Sequence, residues 1–164
     1  MKKPNGKYRT ECAASILMSD QRDWQNNNQA EKNMKIEGQC HCGAIEYEAT
    51  VDPQKASLCH CTDCQTLSGA PFRASVPALA EDFRIVRGEP KIYIKTAASG
   101  ARRAQAFCPE CGTPIYASSA DHPTQYNLRL GAITQRAEIP ALKQSWCNSA
   151  LSWAQNVAPL PKSS

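Results

Sequence analysis

Seven of the nine cysteines stand in three tight groups: Cys40-His41-Cys42, Cys59-His60-Cys61-Thr62-Asp63-Cys64 and Cys108-Pro109-Glu110-Cys111-Gly112. Sulfur at that density suits a thiolate metal site. A Zn2+ ion is closed off by four cysteines and keeps an open position for chemistry when the protein supplies three. Seven sulfurs divide into four and three, so the count predicts one shut site and one open one. Four sulfurs would also accept iron, and zinc is the expectation from ligand type.

The spacings sort the sulfurs further. In an extended strand, residues i and i+2 face the same way, so Cys40 with Cys42, and Cys59 with Cys61, are each expected to offer a pair while His41 and His60 turn away. Cys108-x-x-Cys111 reads as a knuckle, with Pro109 suited to the turn and Gly112 free to adopt left-handed backbone after it. Cys61-x-x-Cys64 repeats that spacing, so the middle group can deliver three sulfurs alone. The first and last groups would then share a four-cysteine site across 66 residues, where a crosslink constrains the unfolded chain most. A rival partition joins Cys40 and Cys42 to two middle sulfurs and leaves Cys108 and Cys111 as a redox pair, a motif expected beside a strand-helix unit that this region does not show. Disulfides fit poorly, because side chains two residues apart run parallel and nine is odd.

The elements that must hold these groups read as strands. Ile45, Tyr47 and Ala49 alternate with Glu46, Glu48 and Thr50 up to Asp52-Pro53, and Phe72, Ala74 and Val76 alternate before Pro77. Phe83 to Val86, the turn Arg87-Gly88-Glu89-Pro90, and Ile92 to Ile94 predict a hairpin. Ala104 to Phe107 leads into the third group, Thr113 to Ala117 leads out, and Tyr126, Leu128 and Leu130 alternate before Gly131. Helix is confined to single turns at Gln65 to Ser68 and Ile139 to Ser145. The expected class is mainly β.

At 164 residues the chain is long enough for one domain. Residues 1–33 hold only Ile16 and Leu17 among Ile, Leu, Val and Phe, so they are expected to be a disordered extension, with Met34 a second beginning. The metal-binding domain is then 34–157, followed by a loose tail at 158–164. The apolar run Ala13 to Met18 is shorter than a signal-peptide core, and no run is long enough to span a membrane. Free thiolates suit a reducing cytoplasm. From Met34 onward 13 Lys and Arg face 11 Asp and Glu, and seven thiolates on two zinc ions would turn that balance slightly negative. No basic stripe remains, so no nucleic-acid partner is expected.

Gly38-x-Cys40-His41-Cys42-Gly43, Cys59-His60-Cys61-x-x-Cys64, Ser68-Gly69-Ala70-Pro71-Phe72, Phe107-Cys108-Pro109-x-Cys111-Gly112-Thr113-Pro114 and Trp153, taken in order, resemble the glutathione-dependent formaldehyde-activating enzyme family, which includes centromere protein V. The resemblance covers about residues 36–154. It implies a β-tent fold of antiparallel sheets, a structural zinc on Cys40, Cys42, Cys108 and Cys111, and a catalytic zinc on Cys59, Cys61 and Cys64. It also implies carbon-sulfur lyase chemistry, in which a small thiol such as glutathione binds the open zinc and an S-hydroxymethyl adduct with a small carbonyl such as formaldehyde forms or breaks up. Two positions depart from the family. Gln144 stands where members tend to have a histidine, and Ala132-Ile133-Thr134-Gln135 replaces an acidic turn. The competing readings are a non-catalytic zinc-stabilised binding module and a thiol or metal sensor.

Single residues take plainer readings. His60 is expected to pack and orient rather than to move protons, and His41 and His122 have weaker claims still. Asp63 is expected to hold its own turn, and Arg102-Arg103 to be solvated. Cys147 is read as a small buried residue rather than a fourth ligand, Cys12 has no role, and Trp146 and Trp153 are read as core or pocket wall.

Overall fold

The alternating apolar residues from Ile45 onward do build strands, an additional strand precedes them at Met34–Gln39, and together they form two sheets. The computed structural model describes residues 33–97 and 99–155. In chain order they form β1 Met34–Gln39, β2 Glu46–Val51, β3 Ser57–Cys59, helix α1 Thr62–Ser68, β4 Arg73–Leu79, β5 Phe83–Arg87, β6 Lys91–Thr96, β7 Arg102–Phe107, β8 Pro114–Ser119, β9 Gln125–Arg129 and β10 Lys143–Ser145. The smaller sheet runs β1-β2-β5 and the larger β10-β3-β4-β9-β8-β7-β6, antiparallel except for the parallel pair β10 and β3. The protein is mainly β, as expected, with two sheets leaning together in the β-tent manner.

The core fills the space between the sheets. Ile36, Tyr47, Ala49 and Val51 from the small sheet meet Val76, Ala78, Ala106 and Leu128 from the large one. Fully burying each larger aliphatic side chain contributes about 1.5–3 kcal/mol. Phe83 bridges the layers, its ring 5.7 Å from that of Tyr47, 5.4 Å from Tyr116 and 4.7 Å from Tyr126. Gly38 pairs with Tyr47 across β1 and β2, and a Cβ there would lie 2.0 Å from Tyr47 Cζ. Only a bare backbone lets that ring lie flat across the strand.

Several local expectations change. The hairpin expected over residues 83–94 is absent: β5 pairs with β2 in the small sheet, while β6 pairs with β7 in the large one. Exposed ion pairs Arg84–Glu48 and Arg87–Glu46 join cross-strand neighbours on the β2 side, so the Gly88 to Pro90 link carries the chain between sheets instead of reversing it. β4 continues through Pro77, because the short β3 pairs only with residues 73–75 and one side of the strand has no ladder there to interrupt. The helical turn expected at 139–145 is instead buried Ile139 followed, after Pro140, by β10. Helix α1 begins earlier than expected, at Thr62, and ends at Gly69 in left-handed backbone. Trp146 and Trp153 are 52% and 61% exposed and form no part of the core. The readings of the extension, Asn33 excepted, and of the tail lie outside the described residues.

Candidate metal centres and the adjoining pocket

The first and third cysteine groups sit at the tips of two hairpins, one from each sheet. Cys40 directly follows β1, and Cys42 lies in the turn closed by Gly43 N–H to Cys40 C=O at 3.0 Å. Cys108 and Cys111 lie between β7 and β8, where Gly112 N–H reaches Cys108 C=O at 2.9 Å. Gly43 and Gly112 have φ of 74° and 73°, the left-handed backbone that such reversals need. The sulfurs of Cys40 and Cys42 are 3.5 Å apart, and those of Cys42 and Cys108 are 3.7 Å apart. A tetrahedron with zinc-sulfur bonds of about 2.3 Å has corners about 3.8 Å apart, so the spacing fits. Strand alternation is not what pairs Cys40 with Cys42, since the turn brings their sulfurs together.

Cys59, Cys61 and Cys64 come from a strand end, a helix cap and the first helical turn. Cys59 closes β3, and Cys61 is the N-cap of α1, its sulfur accepting from Cys64 N–H at 3.4 Å. Cys64 Sγ lies 3.2 Å from Cys59 Sγ. Within each group, four and three, all sulfurs lie within 4.8 Å of one another, so either group could hold a metal ion. The rival partition is not what the geometry assembles. Cys147 joins neither group and is half-buried in the turn Cys147–Ser149, less buried than expected.

Packed sulfurs compete for protons. The hydrogen bond from Cys61 is the main cause holding Cys59 down at about 2, and the bond with Cys59 is the main cause pushing Cys64 up. In the other group the Thr113 hydroxyl, 3.1 Å from Cys111 Sγ, is the main cause bringing Cys111 down to about 5. Cys42 rises to about 12, because contacts with Cys40 and Cys111 outweigh the Ala44 N–H that pulls it down. In each group lowered thiols stand beside raised ones, Cys40 being lowered along with Cys111, and a bound cation is what would make three or four thiolates compatible.

His60 is buried, and its Nε2 lies 2.8 Å from Gln144 Oε1. An amide oxygen accepts, so Nε2 carries the proton. The ring also meets Phe72 edge-on at 5.7 Å. Gln65 ties this corner together, donating to the carbonyls of His60 and Ser149, each at 2.8 Å. Gln144 therefore braces the loop between two cysteines. Asp63 forms an ion pair with Lys95 of β6, anchoring α1 over the large sheet, and Arg102 pairs with Asp121 at 3.0 Å at the surface.

In-register neighbours share a sheet face. Cys59 opposes Arg73, Ser75 opposes Arg129, and Tyr93, Gln105, Ala117 and Asn127 follow one another across β6 to β9. These residues occupy the face away from the core, which α1 covers in part. Between them lies a cavity of about 290 Å³ whose walls include Leu67 of α1, Tyr93, Phe107 and Pro114. Gln105 and Arg129 also line it. Sequence reasoning passed over both. A wider groove of about 490 Å³ on the small sheet is bordered by charged residues such as Lys35, Glu48 and Arg84, and by no cysteine.

The fold and sulfur clusters define a mainly β protein with two candidate metal centres. The chain belongs to the glutathione-dependent formaldehyde-activating enzyme family, whose sequence model matches residues 35–149. A protein of Schizosaccharomyces pombe described as an uncharacterized lyase is 31% identical over 86 residues, which span 50% of this chain and 56% of that protein. The match thus takes in little more than half of that relative. A crystal structure of a Rhodobacter sphaeroides protein is similar at 24% identity and a TM-score of 0.49, over 60% of this chain and 87% of that one. Among the described residues no helix is long and apolar enough to cross a membrane.

Proposed function

We propose that the protein is a zinc-dependent carbon-sulfur lyase that joins a small thiol, such as glutathione, to a small carbonyl such as formaldehyde, or parts them. In the joining direction the thiol loses its proton, its sulfur forms a bond to the carbonyl carbon, and the carbonyl oxygen gains a proton. Cys40, Cys42, Cys108 and Cys111 would hold a structural ion and Cys59, Cys61 and Cys64 a catalytic one, two per chain. Bound by three cysteines, zinc would offer an open position at which an incoming thiol ionises near neutral pH. The chain's own residues prepare that place: α1 presents Cys61 and Cys64 from its first turn, and His60, held by Gln144, braces the segment between Cys59 and Cys61. The domain responsible is 34–157, and a reducing cytoplasm suits its thiolates.

The observation that carries this reading is the unequal division of the sulfurs, four in one group and three in the other. Cobalt substitution tests it. Two ions per chain are expected, with the visible bands of only one changing when a small thiol is added. Two ions indifferent to thiols would instead favour a zinc-stabilised binding module, and thiol-dependent turnover unchanged in Cys61→Ser would rule out the proposed centre.

A further inference from the structure

The sheet face beneath α1 holds an arginine for which neither sulfur cluster accounts. Arg129 is 7% exposed, yet it lines the cavity beside the helix. Its Nη2 donates to Gln105 Oε1 at 2.9 Å, while its Nη1 is buried and has no hydrogen-bond partner among the described residues. The ion pairs among those residues use other arginines and lysines, so no carboxylate of the described residues pairs with this one. Burial and the neighbouring Arg73 disfavour the charge on Arg129, while Cys64 and Cys59 favour it through space. A buried cation with an idle donor is costly for a fold to retain, and such an exception calls for an explanation.

The surroundings supply one. The cavity is walled by apolar groups of Leu67, Tyr93, Phe107 and Pro114 and sits at the lower end of the size range for small-ligand sites. Leu67 belongs to the helix that Cys61 caps and that contains Cys64, so one short element serves both the cavity and the three-sulfur cluster, although no cysteine lines the cavity. A guanidinium fork among apolar walls matches a carboxylate at the end of a short chain. We propose that Arg129, oriented by Gln105, receives a carboxylate of the substrate thiol, so that the protein selects thiols bearing an acid group over neutral ones. This rests on the thiol reading above and adds to it the residue that reads the substrate's charge.

The test uses the full cobalt-loaded chain titrated with glutathione and, separately, with glutathione dimethyl ester, following the visible cobalt bands. The wild type should bind the acid at least about tenfold tighter than the ester, although a net-negative thiolate centre by itself would favour the ester. Arg129→Gln should bring the acid to the ester's affinity without altering the ester's, and Arg129→Lys should fall between. Equal affinity of the wild type for acid and ester overturns the assignment, and this comparison needs no variant to fold. Equal weakening of both ligands in Arg129→Gln, with cobalt content at the wild-type level, overturns it as well. If neither compound alters the bands, the thiol reading falls and takes this inference with it. If both alter them equally, only the role of Arg129 is lost.

Discussion

Replacing Gly38 with alanine should destabilise the protein through one contact. A Cβ at that position would lie 2.0 Å from Tyr47 Cζ, 2.3 Å from its hydroxyl oxygen and 2.5 Å from Cε1, whereas real Cβ atoms essentially never come within 3.0 Å. The ring must therefore move by about 1 Å, and it has little room, being 1% exposed and packed against Phe83. Overpacking of this kind costs about 1–3 kcal/mol, offset by up to about 1 kcal/mol from the smaller entropy of the unfolded alanine chain. A net loss of about 1–2 kcal/mol follows, or a fall in Tm of about 3–8 °C for a domain of this size. Urea unfolding of the metal-loaded protein should show a lower midpoint at unchanged slope. Pairing the change with Tyr47→Leu should recover at least about 1 kcal/mol relative to the sum of the single effects. A loss under about 0.5 kcal/mol, or strict additivity, would refute the reasoning.

Other substitutions probe different forces. Tyr47→Phe removes a hydroxyl that is buried with no partner among the described residues, so stability should stay level or rise by up to about 1 kcal/mol in the same unfolding assay. Gln144→Leu leaves the His60 N–H unpaired and should cost about 1–2 kcal/mol, read as a lower midpoint. Cys40→Ser, at the buried site joining the sheets, should lower Tm more than Cys61→Ser, whose cluster lies within one local segment; thermal scans with and without chelator compare them.

Spacing made the sulfur groups legible before any coordinates, because two-residue and three-residue separations restrict where thiols can point. Their backbone was less so. Alternation assigned Cys40 and Cys42 to one strand face, but the strand ends at Gln39 and a turn does the pairing. The strand positions were mostly readable, whereas the partners were not: β5 and β6 look like a hairpin locally, and only contacts distant in sequence send them to different sheets. Arg129 stayed hidden for a related reason. Tyr126, Leu128 and Leu130 marked the apolar side of β9, which drew no attention to the arginine between them, and nothing local announced that a helix from residues 62–68 would cover it.

The four-sulfur cluster draws two ligands from each of two hairpins that belong to different layers. During folding neither hairpin can offer more than half a coordination shell, so tight capture of the ion must wait until the layers have docked. Uptake of a metal ion at this cluster would then serve as a clock for the last long-range event of folding, and its release on denaturation would mark the moment the layers part.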